Sequence, residues 1–343
     1  MHKVLSISSA MILAIALFAG CQQDPSSGIT QPMPLKAPVS GTTTANPALV
    51  WSGYVYTKSH GQTTQYSAIF VGDSNLANST SVQVAKDWIG AVAFDGAPGW
   101  SPTGSSICLT QRGYPQNGNT GTVPDTIKAF DISVNSSGVP VASNLRTIVG
   151  LADQTVRMNN AFWSSTTTMG KIAYSTADGS TNSVYVVDQS GLTAPSKIYS
   201  YDATGGVKLG DPTWNPDDSK LAFIRTSSTA STILIYNTSD WSLADTIDVS
   251  GQIFGLEWSR SGMNKLAFSV YASGSYHLYY CDPSTGATPT TNSVASNAGY
   301  PTWSPNNSSV MYVNAGTLYK NVPGTSTAAS VGSFGSVGVK WKR

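Results

Sequence analysis

The apolar positions of this chain fall in short runs, Ile107-Cys108-Leu109, Ile172-Ala173-Tyr174, Leu221-Ala222-Phe223, Leu266-Ala267-Phe268 and Val310-Met311-Tyr312, each set off by polar residues and turn formers. Runs of this length, bounded by Gly, Pro, Asn and Asp, predict buried β-strands. A Trp precedes each run at a nearly constant distance, 7 residues at Trp100, Trp214 and Trp303, 8 at Trp258 and 9 at Trp163. Between Trp and strand lies a turn. Ser101-Pro102-Thr103-Gly104 suits a type I turn, with Pro setting φ at the second position and Gly closing the fourth. Asn215-Pro216-Asp217-Asp218 and Ser304-Pro305-Asn306-Asn307 use the same chemistry, and Ser259-Arg260-Ser261-Gly262 lacks the Pro.

A second β run follows in each copy and ends at an Asp or Asn: Val184 to Asp188, Leu234 to Asn237, Leu278 to Asp282. Weaker runs, such as Lys197 to Tyr201 and Val207 to Trp214, lie before the next Trp. The repeat therefore holds about four strands per copy, the blade of a β-propeller. Six motif Trp residues (Trp100, Trp163, Trp214, Trp258, Trp303, Trp341) and six strand-ending residues (Asp73, Asp131, Asp188, Asn237, Asp282, Asn321) count six blades. The two series are offset. The first β run, Tyr54-Val55-Tyr56, has no Trp 7 residues upstream, and Trp341 has no strand after it. The predicted fold is thus all-β, a six-bladed β-propeller with four-stranded blades. Gly338-Val339-Lys340-Trp341 supplies the inner strand of the blade starting at Trp51 and closes the ring, leaving no open inner edge. Trp51 is out of frame with the motif and is expected to pack locally where the linker enters the ring.

Ahead of the repeats, residues 1–20 combine Lys3, the apolar stretch Met11 to Phe18 and small residues before a Cys, the pattern of a secretory signal. The apolar stretch falls short of the roughly 20 residues a membrane-spanning helix needs. Leu17-Phe18-Ala19-Gly20-Cys21 resembles a bacterial lipobox, which implies cleavage before Cys21 and lipid attachment to it. Gln22 follows where the sorting pattern of enteric lipoproteins has Asp for inner-membrane retention, so the resemblance implies the outer membrane. Residues 21–48 are rich in Pro, Ser, Thr and Gly and read as a flexible tether. Residues 49–343 carry the propeller.

Charge changes the functional picture by exclusion. Lys and Arg number 19 against 18 Asp and Glu, with Glu257 the single Glu and no basic run, so no phosphate-reading surface for nucleic acid is expected. Cys108 and Cys281 fall at core positions of their runs. His60 and His277 each stand alone, without the carboxylate or Cys company of a zinc site or a catalytic triad. Asp178-Gly179 and Asp217-Asp218 read as turn residues rather than acid pairs or calcium loops. No cofactor and no metal site is expected. Gly113 to Asp125 is an enlarged hairpin loop, either a binding loop or a neutral insertion.

The segments before each motif Trp differ between copies and should lie at one mouth of the central channel. They supply the candidate rim residues Asp95, Asn160, Asp211, Phe254, Tyr300 and Phe334, which either receive a polar, partly aromatic ligand or peptide or plug the funnel. An alternative takes Asp95 and Asp211 as the paired carboxylates of a hydrolase or lyase acting on glycan, which requires them to face each other within about 5–10 Å.

The Pro-x-Trp-Ser-Pro-x-Gly, Ile-Ala-Phe and Ile-Tyr-Val-x-Asp pattern resembles the WD40-like (PD40) repeats of TolB-type six-bladed propellers over residues 49–343. The resemblance implies a cell-envelope propeller that binds a protein or peptide. TolB carries an α/β domain ahead of its propeller where this chain has the tether, so the Tol-system role is not implied. The expectation is a lipid-anchored envelope binding module whose partners are an envelope protein or peptide and, through Cys21, the membrane.

Overall fold

The computed structural model describes residues 48–59, 62–72, 82–88, 92–113, 124–151, 156–203, 206–272, 274–284, 290–292, 299–314, 317–325, 328–333 and 339–342. Blade 1 begins with β1 (Leu49–Ser59), β2 (Gln62–Gly72) and β3 (Val82–Trp88). Blade 2 holds β4 (Val92–Trp100), β5 (Ser106–Gly113), β6 (Thr126–Val134) and β7 (Pro140–Gly150), and blade 3 holds β8 (Arg157–Trp163), β9 (Lys171–Ala177), β10 (Thr181–Asp188) and β11 (Ser196–Asp202). Blade 4 is β12 (Lys208–Trp214), β13 (Lys220–Thr226), β14 (Ala230–Asn237) and β15 (Leu243–Ser250). Blade 5 is β16 (Gln252–Trp258), β17 (Leu266–Ala272), β18 (Ser275–Cys281) and β19 (Thr290–Asn292). Blade 6 is β20 (Gly299–Trp303), β21 (Val310–Asn314), β22 (Thr317–Asn321) and β23 (Ala328–Ser333), after which β24 (Val339–Trp341) ends the chain's strands.

Each of the six sheets is a four-stranded antiparallel meander, and together they make the six-bladed β-propeller the repeats predict. The split blade is also as expected: β24 pairs with β1, Leu49 opposite Trp341, Val50 opposite Lys340 and Trp51 opposite Val339. Joining the two ends of the chain in one sheet means the ring cannot open without breaking a ladder.

Six apolar clusters fill the six seams between blades, one cluster per seam. The motif Trp of each blade lies in the seam it shares with the preceding blade: Trp100 with Val50 and Ile69, Trp163 with Cys108 and Ile127, Trp214 with Ala173 and Val184, Trp258 with Ala222 and Ile233, Trp303 with Ala267 and Leu278, Trp341 with Met311 and Leu318. A blade cannot bury both its faces alone, which is why the Trp recurs. Burying a side chain of that size contributes at most about 4–6 kcal/mol at about 25 cal/mol per Å².

Trp51 corrects the local-packing expectation. It is buried in β1 and stacks on Phe70, with ring centroids 5.8 Å apart, inside the cluster that contains Trp341, Met311 and Leu318. Closure by β24 makes β1 the second strand of its blade, and that position faces the seam with blade 6.

The turns after the motif Trp close by i to i+3 hydrogen bonds, Gly104 N–H to Ser101 O (2.8 Å), Asp218 N–H to Asn215 O (3.1 Å) and Asn307 N–H to Ser304 O (3.0 Å). The fourth turn residue has positive φ, 65° at Gly104, 59° at Asp218 and 58° at Asn307, a region open mainly to Gly, Asn and Asp. Two of these side chains reach the preceding blade. Asp218 accepts from Ser165 N–H (2.5 Å), Thr166 N–H (2.7 Å) and Thr166 Oγ1 (2.6 Å). Asn307 accepts from Arg260 N–H (2.7 Å) and donates to the Arg260 and Ser261 carbonyls (3.0 Å each).

Candidate binding site

Antiparallel order places the starts of the inner strands and the hairpins between second and third strands at one end of the ring, and the Trp turns at the other. At the first end, a bulge interrupts the ladder of the inner strand in blades 2 to 6, between Asp95 and Gly99, Met158 and Ala161, Gly210 and Thr213, Phe254 and Leu256, Gly299 and Thr302. A bulge re-aims side chains and bends the strand. In three blades the residue three before the motif Trp takes positive φ: Asp211 (46°), Gly255 (67°) and Tyr300 (53°).

Two of the candidate rim residues are joined in a chain of hydrogen bonds across four blades. Asn160 Oδ1 accepts from Ala97 N–H at 3.0 Å, and Asn160 Nδ2 donates to Asp211 Oδ1 at 2.8 Å. Asp211 Oδ2 accepts from Gly255 N–H at 3.0 Å. A Cβ on Gly255 would come 2.7 Å from Tyr300 Cα, so only glycine allows blades 5 and 6 to approach there. Asn160 and Asp211 thus hold the mouth together, and each carboxylate oxygen of Asp211 already has a donor. Asp95 pairs with Thr110 in the backbone ladder, but its side chain lies outside the described residues, as do Phe334, Cys21, His60 and residues 114–123 of the enlarged loop.

Phe254 and Tyr300 are half-buried at the same mouth. Phe254 packs edge-on against Tyr276, with centroids 5.4 Å apart, and Tyr276 against Tyr271 at 4.8 Å. Tyr271 is 36% exposed. The result is a partly open aromatic strip on blade 5. Tyr271 and Tyr276 were not among the sequence candidates because they sit on the second and third strands rather than before the Trp; the run Ser-Val-Tyr-Ala-Ser-Gly-Ser-Tyr across a hairpin is the signal that could have found them. His277 in that hairpin shares a hydrogen bond of 2.7 Å with Ser275 Oγ.

The end of the enlarged loop is anchored at this mouth too. Asp125 is fully buried and accepts from Gly113 N–H (3.1 Å), Arg157 Nη1 (3.0 Å) and Met158 N–H (2.9 Å), tying blade 2 to the inner strand of blade 3.

Deeper in the channel, the residues immediately before the motif Trp form a ring: Gly99, Phe162, Thr213, Glu257, Thr302 and Lys340. Thr213 Oγ1 accepts from Trp258 N–H (3.1 Å) and Thr302 Oγ1 from Trp341 N–H (3.2 Å). Glu257, 5% exposed, binds Lys340 Nζ at 2.5 Å through one oxygen and Arg260 Nη2 at 2.6 Å through the other. The Lys340 ammonium also lies over the Phe162 ring, 4.9 Å from its centroid. Lys340 therefore spans from blade 1 to side chains of blades 3 and 5, across the channel. This triad escaped the sequence reading; the clue was that the single Glu of the chain stands directly before a motif Trp.

Cys108 and Cys281 are both buried core residues. The Cys108 thiol donates to the Ala161 carbonyl (3.3 Å), and burial, with the nearby Asp282 charge, pushes the Cys281 thiol up to about 12. Among the described residues no group of His, Cys, Asp or Glu is placed to hold a metal ion, and no helix is long and apolar enough to cross a membrane.

Solved structures match this ring. TolB from Acinetobacter baumannii superposes with a TM-score of 0.60 at 15% identity, covering 86% of this chain and 66% of that one. The likeness is one of fold, the six-bladed β-propeller. Putative TolB from Agrobacterium tumefaciens gives 0.54 at 13% identity over 85% and 98% of the two chains, and a chain of the nidogen/laminin complex 0.59 at 9% over 87% and 99%. No protein-family model and no characterised protein matches the sequence. Identities this low carry the fold alone.

Proposed function

We propose that this protein is a lipid-anchored module of the bacterial cell envelope that docks a protein or peptide on the channel mouth of its TolB-like propeller. The observation that carries the reading is the aromatic strip of Phe254, Tyr276 and Tyr271 beside Tyr300, half-open on a rim whose backbone is held rigid by Asn160, Asp211 and Gly255. Tyr and Phe supply large contact area at low entropic cost, and such residues anchor protein interfaces. A preformed rim also lowers the ordering cost of binding. The nidogen/laminin match supports the reading by fold, since that chain comes from a complex of two proteins.

The anchor belongs to the same proposal. Lipid on Cys21, with residues 21–48 as a tether, would hold the ring at a membrane surface, the outer membrane by the Gln22 analogy. Several acyl chains at about 0.8 kcal/mol per buried methylene make such anchoring stable. Metabolic labelling with an alkyne fatty acid tests it: label on the wild type and none on Cys21→Ser supports the anchor, and an unlabelled wild type refutes it. The docking claim is tested by affinity capture from envelope extract with the full chain beside Tyr271→Ala/Tyr276→Ala. A protein retained by the first and lost by the second supports it. Equal recovery by both removes the aromatic strip from the account.

A further inference from the structure

The motif Trp residues divide into two groups by what their indole N–H groups do. Trp214 and Trp303 donate to the carbonyls of Phe162 (3.2 Å) and Glu257 (3.3 Å), and Trp258 to Asn264 Oδ1 (3.0 Å). The indole N–H groups of Trp100, Trp163 and Trp341 are buried and have no acceptor among the described residues, and neither has the Nε–H of Arg260. Buried donors without acceptors are costly and rare, and each calls for a physical account. These four share one. Trp100, Trp163, Trp341 and Arg260 all line a single cavity of about 20 Å³, together with Lys340, Glu257 and Phe162.

The charge there is unbalanced. Among the described residues Arg260 and Lys340 bring two positive charges and Glu257 one negative, leaving one net positive charge in a site walled by four aromatic residues. Lys342 adds a further cation nearby, its ammonium 5.5 Å from the Trp100 ring centre. A buried cation without full compensation attracts an anion, and low-dielectric walls strengthen the attraction. The volume fixes the size class: a cavity of this volume holds one particle of roughly water size. Donors in excess, surplus positive charge and room for one small particle define an anion hole.

We propose that the channel of this propeller holds a small inorganic anion of halide size, with chloride the chemical type, bound by Arg260 and Lys340 and accepting from the indole donors. The anion neutralises the channel and acts as a structural ligand at the hub of the ring. The Glu257 carboxylate sets the limit, because it already neutralises one cation and leaves a site for a single negative charge.

The test is thermal unfolding of the full chain at matched ionic strength in chloride, bromide and gluconate, the last too large for the cavity, with bromide located by its anomalous signal in crystals. Linkage predicts a saturable rise in Tm in the halides, about 4 °C at a concentration 100-fold above Kd for a domain of this size. The bromide peak should fall between Arg260 and Lys340. Lys340→Met leaves the Glu257–Arg260 pair neutral, so that variant, checked for cooperative unfolding, should lose the halide dependence. Equal Tm in all three salts, a cavity holding water only in bromide, or halide dependence retained by folded Lys340→Met overturns the proposal. A bromide peak with no change in Tm marks an adventitious ion and counts against it equally.

Discussion

Glu257→Gln is the sharpest perturbation of the ring's centre. The substitution keeps the volume of the side chain and removes the one negative charge that Arg260 and Lys340 share, at 2.6 and 2.5 Å. All three side chains are nearly buried, so bulk solvent compensates the lost partner only weakly. Breaking a buried ion pair by removing one member costs about 3–5 kcal/mol, because an uncompensated charge stays behind. For a ring of about 295 residues the unfolding entropy is about 0.6 kcal/mol per kelvin, so the loss corresponds to a Tm drop of about 5–8 °C. The assay is urea and thermal denaturation at pH 7 in a gluconate buffer, with Lys340→Met alone and in combination. Lys340→Met relieves the cation excess, so the double variant should be more stable than the sum of the two single losses predicts, a coupling of at least 1 kcal/mol on the usual scale for contacting residues. A Glu257→Gln variant within about 0.5 kcal/mol of the wild type, or strict additivity, would refute the claim that this carboxylate holds the channel together.

Three further outcomes follow from the geometry. Deleting residues 339–343 removes buried Val339 and Trp341 and the ladder to β1, a loss of about 5–8 kcal/mol that rivals the whole stability of a typical domain; circular dichroism and limited proteolysis should find an open or unfolded chain. Asp218→Ala should cost about 2–4 kcal/mol in chemical denaturation, through three lost hydrogen bonds to a charged acceptor and an unfavourable positive φ, whereas Asp218→Asn should cost less because Asn tolerates that φ and still accepts. Asp188, Asp217 and Asp282 have carboxyls held below the ordinary range, first by the side-chain hydroxyls and then by the backbone N–H groups of Ser190, Ser219 and Ser284. A depressed folded-state value means stability that is present above the unfolded value near pH 3.9 and lost as pH falls through the folded value; replacing the three serines with Ala should flatten the loss of stability seen between about pH 4 and pH 2.

What could be read in advance was whatever the ring needs six times. Each seam requires a large apolar side chain at one register, so Trp100, Trp163, Trp214, Trp258, Trp303 and Trp341 count the blades. The short β run at the C-terminus could only complete the blade that lacked an inner strand. Interactions made once were not visible. Glu257 meets Lys340 across 83 positions of sequence, and Asn160 meets Asp211 across 51, distances that no local pattern encodes. The same two residues show the limit: their position three residues before a motif Trp followed from the repeat, while their use as links between blades depends on bulges that the repeat does not spell. Trp51 was misjudged because its frame is set by β24, almost 300 residues away, and not by its neighbours.

The central claim is that the aromatic mouth, and not the opposite face, meets the partner. A photo-crosslinking residue placed at Tyr271, and in a second strain at Leu192, tests this in living cells. Leu192 is 90% exposed and lies in the turn between β10 and β11, at the other end of the ring. The account predicts a discrete crosslinked protein from position 271 that is absent at 192. A crosslink from 192 alone, or none from either in cells that express the protein, would contradict it.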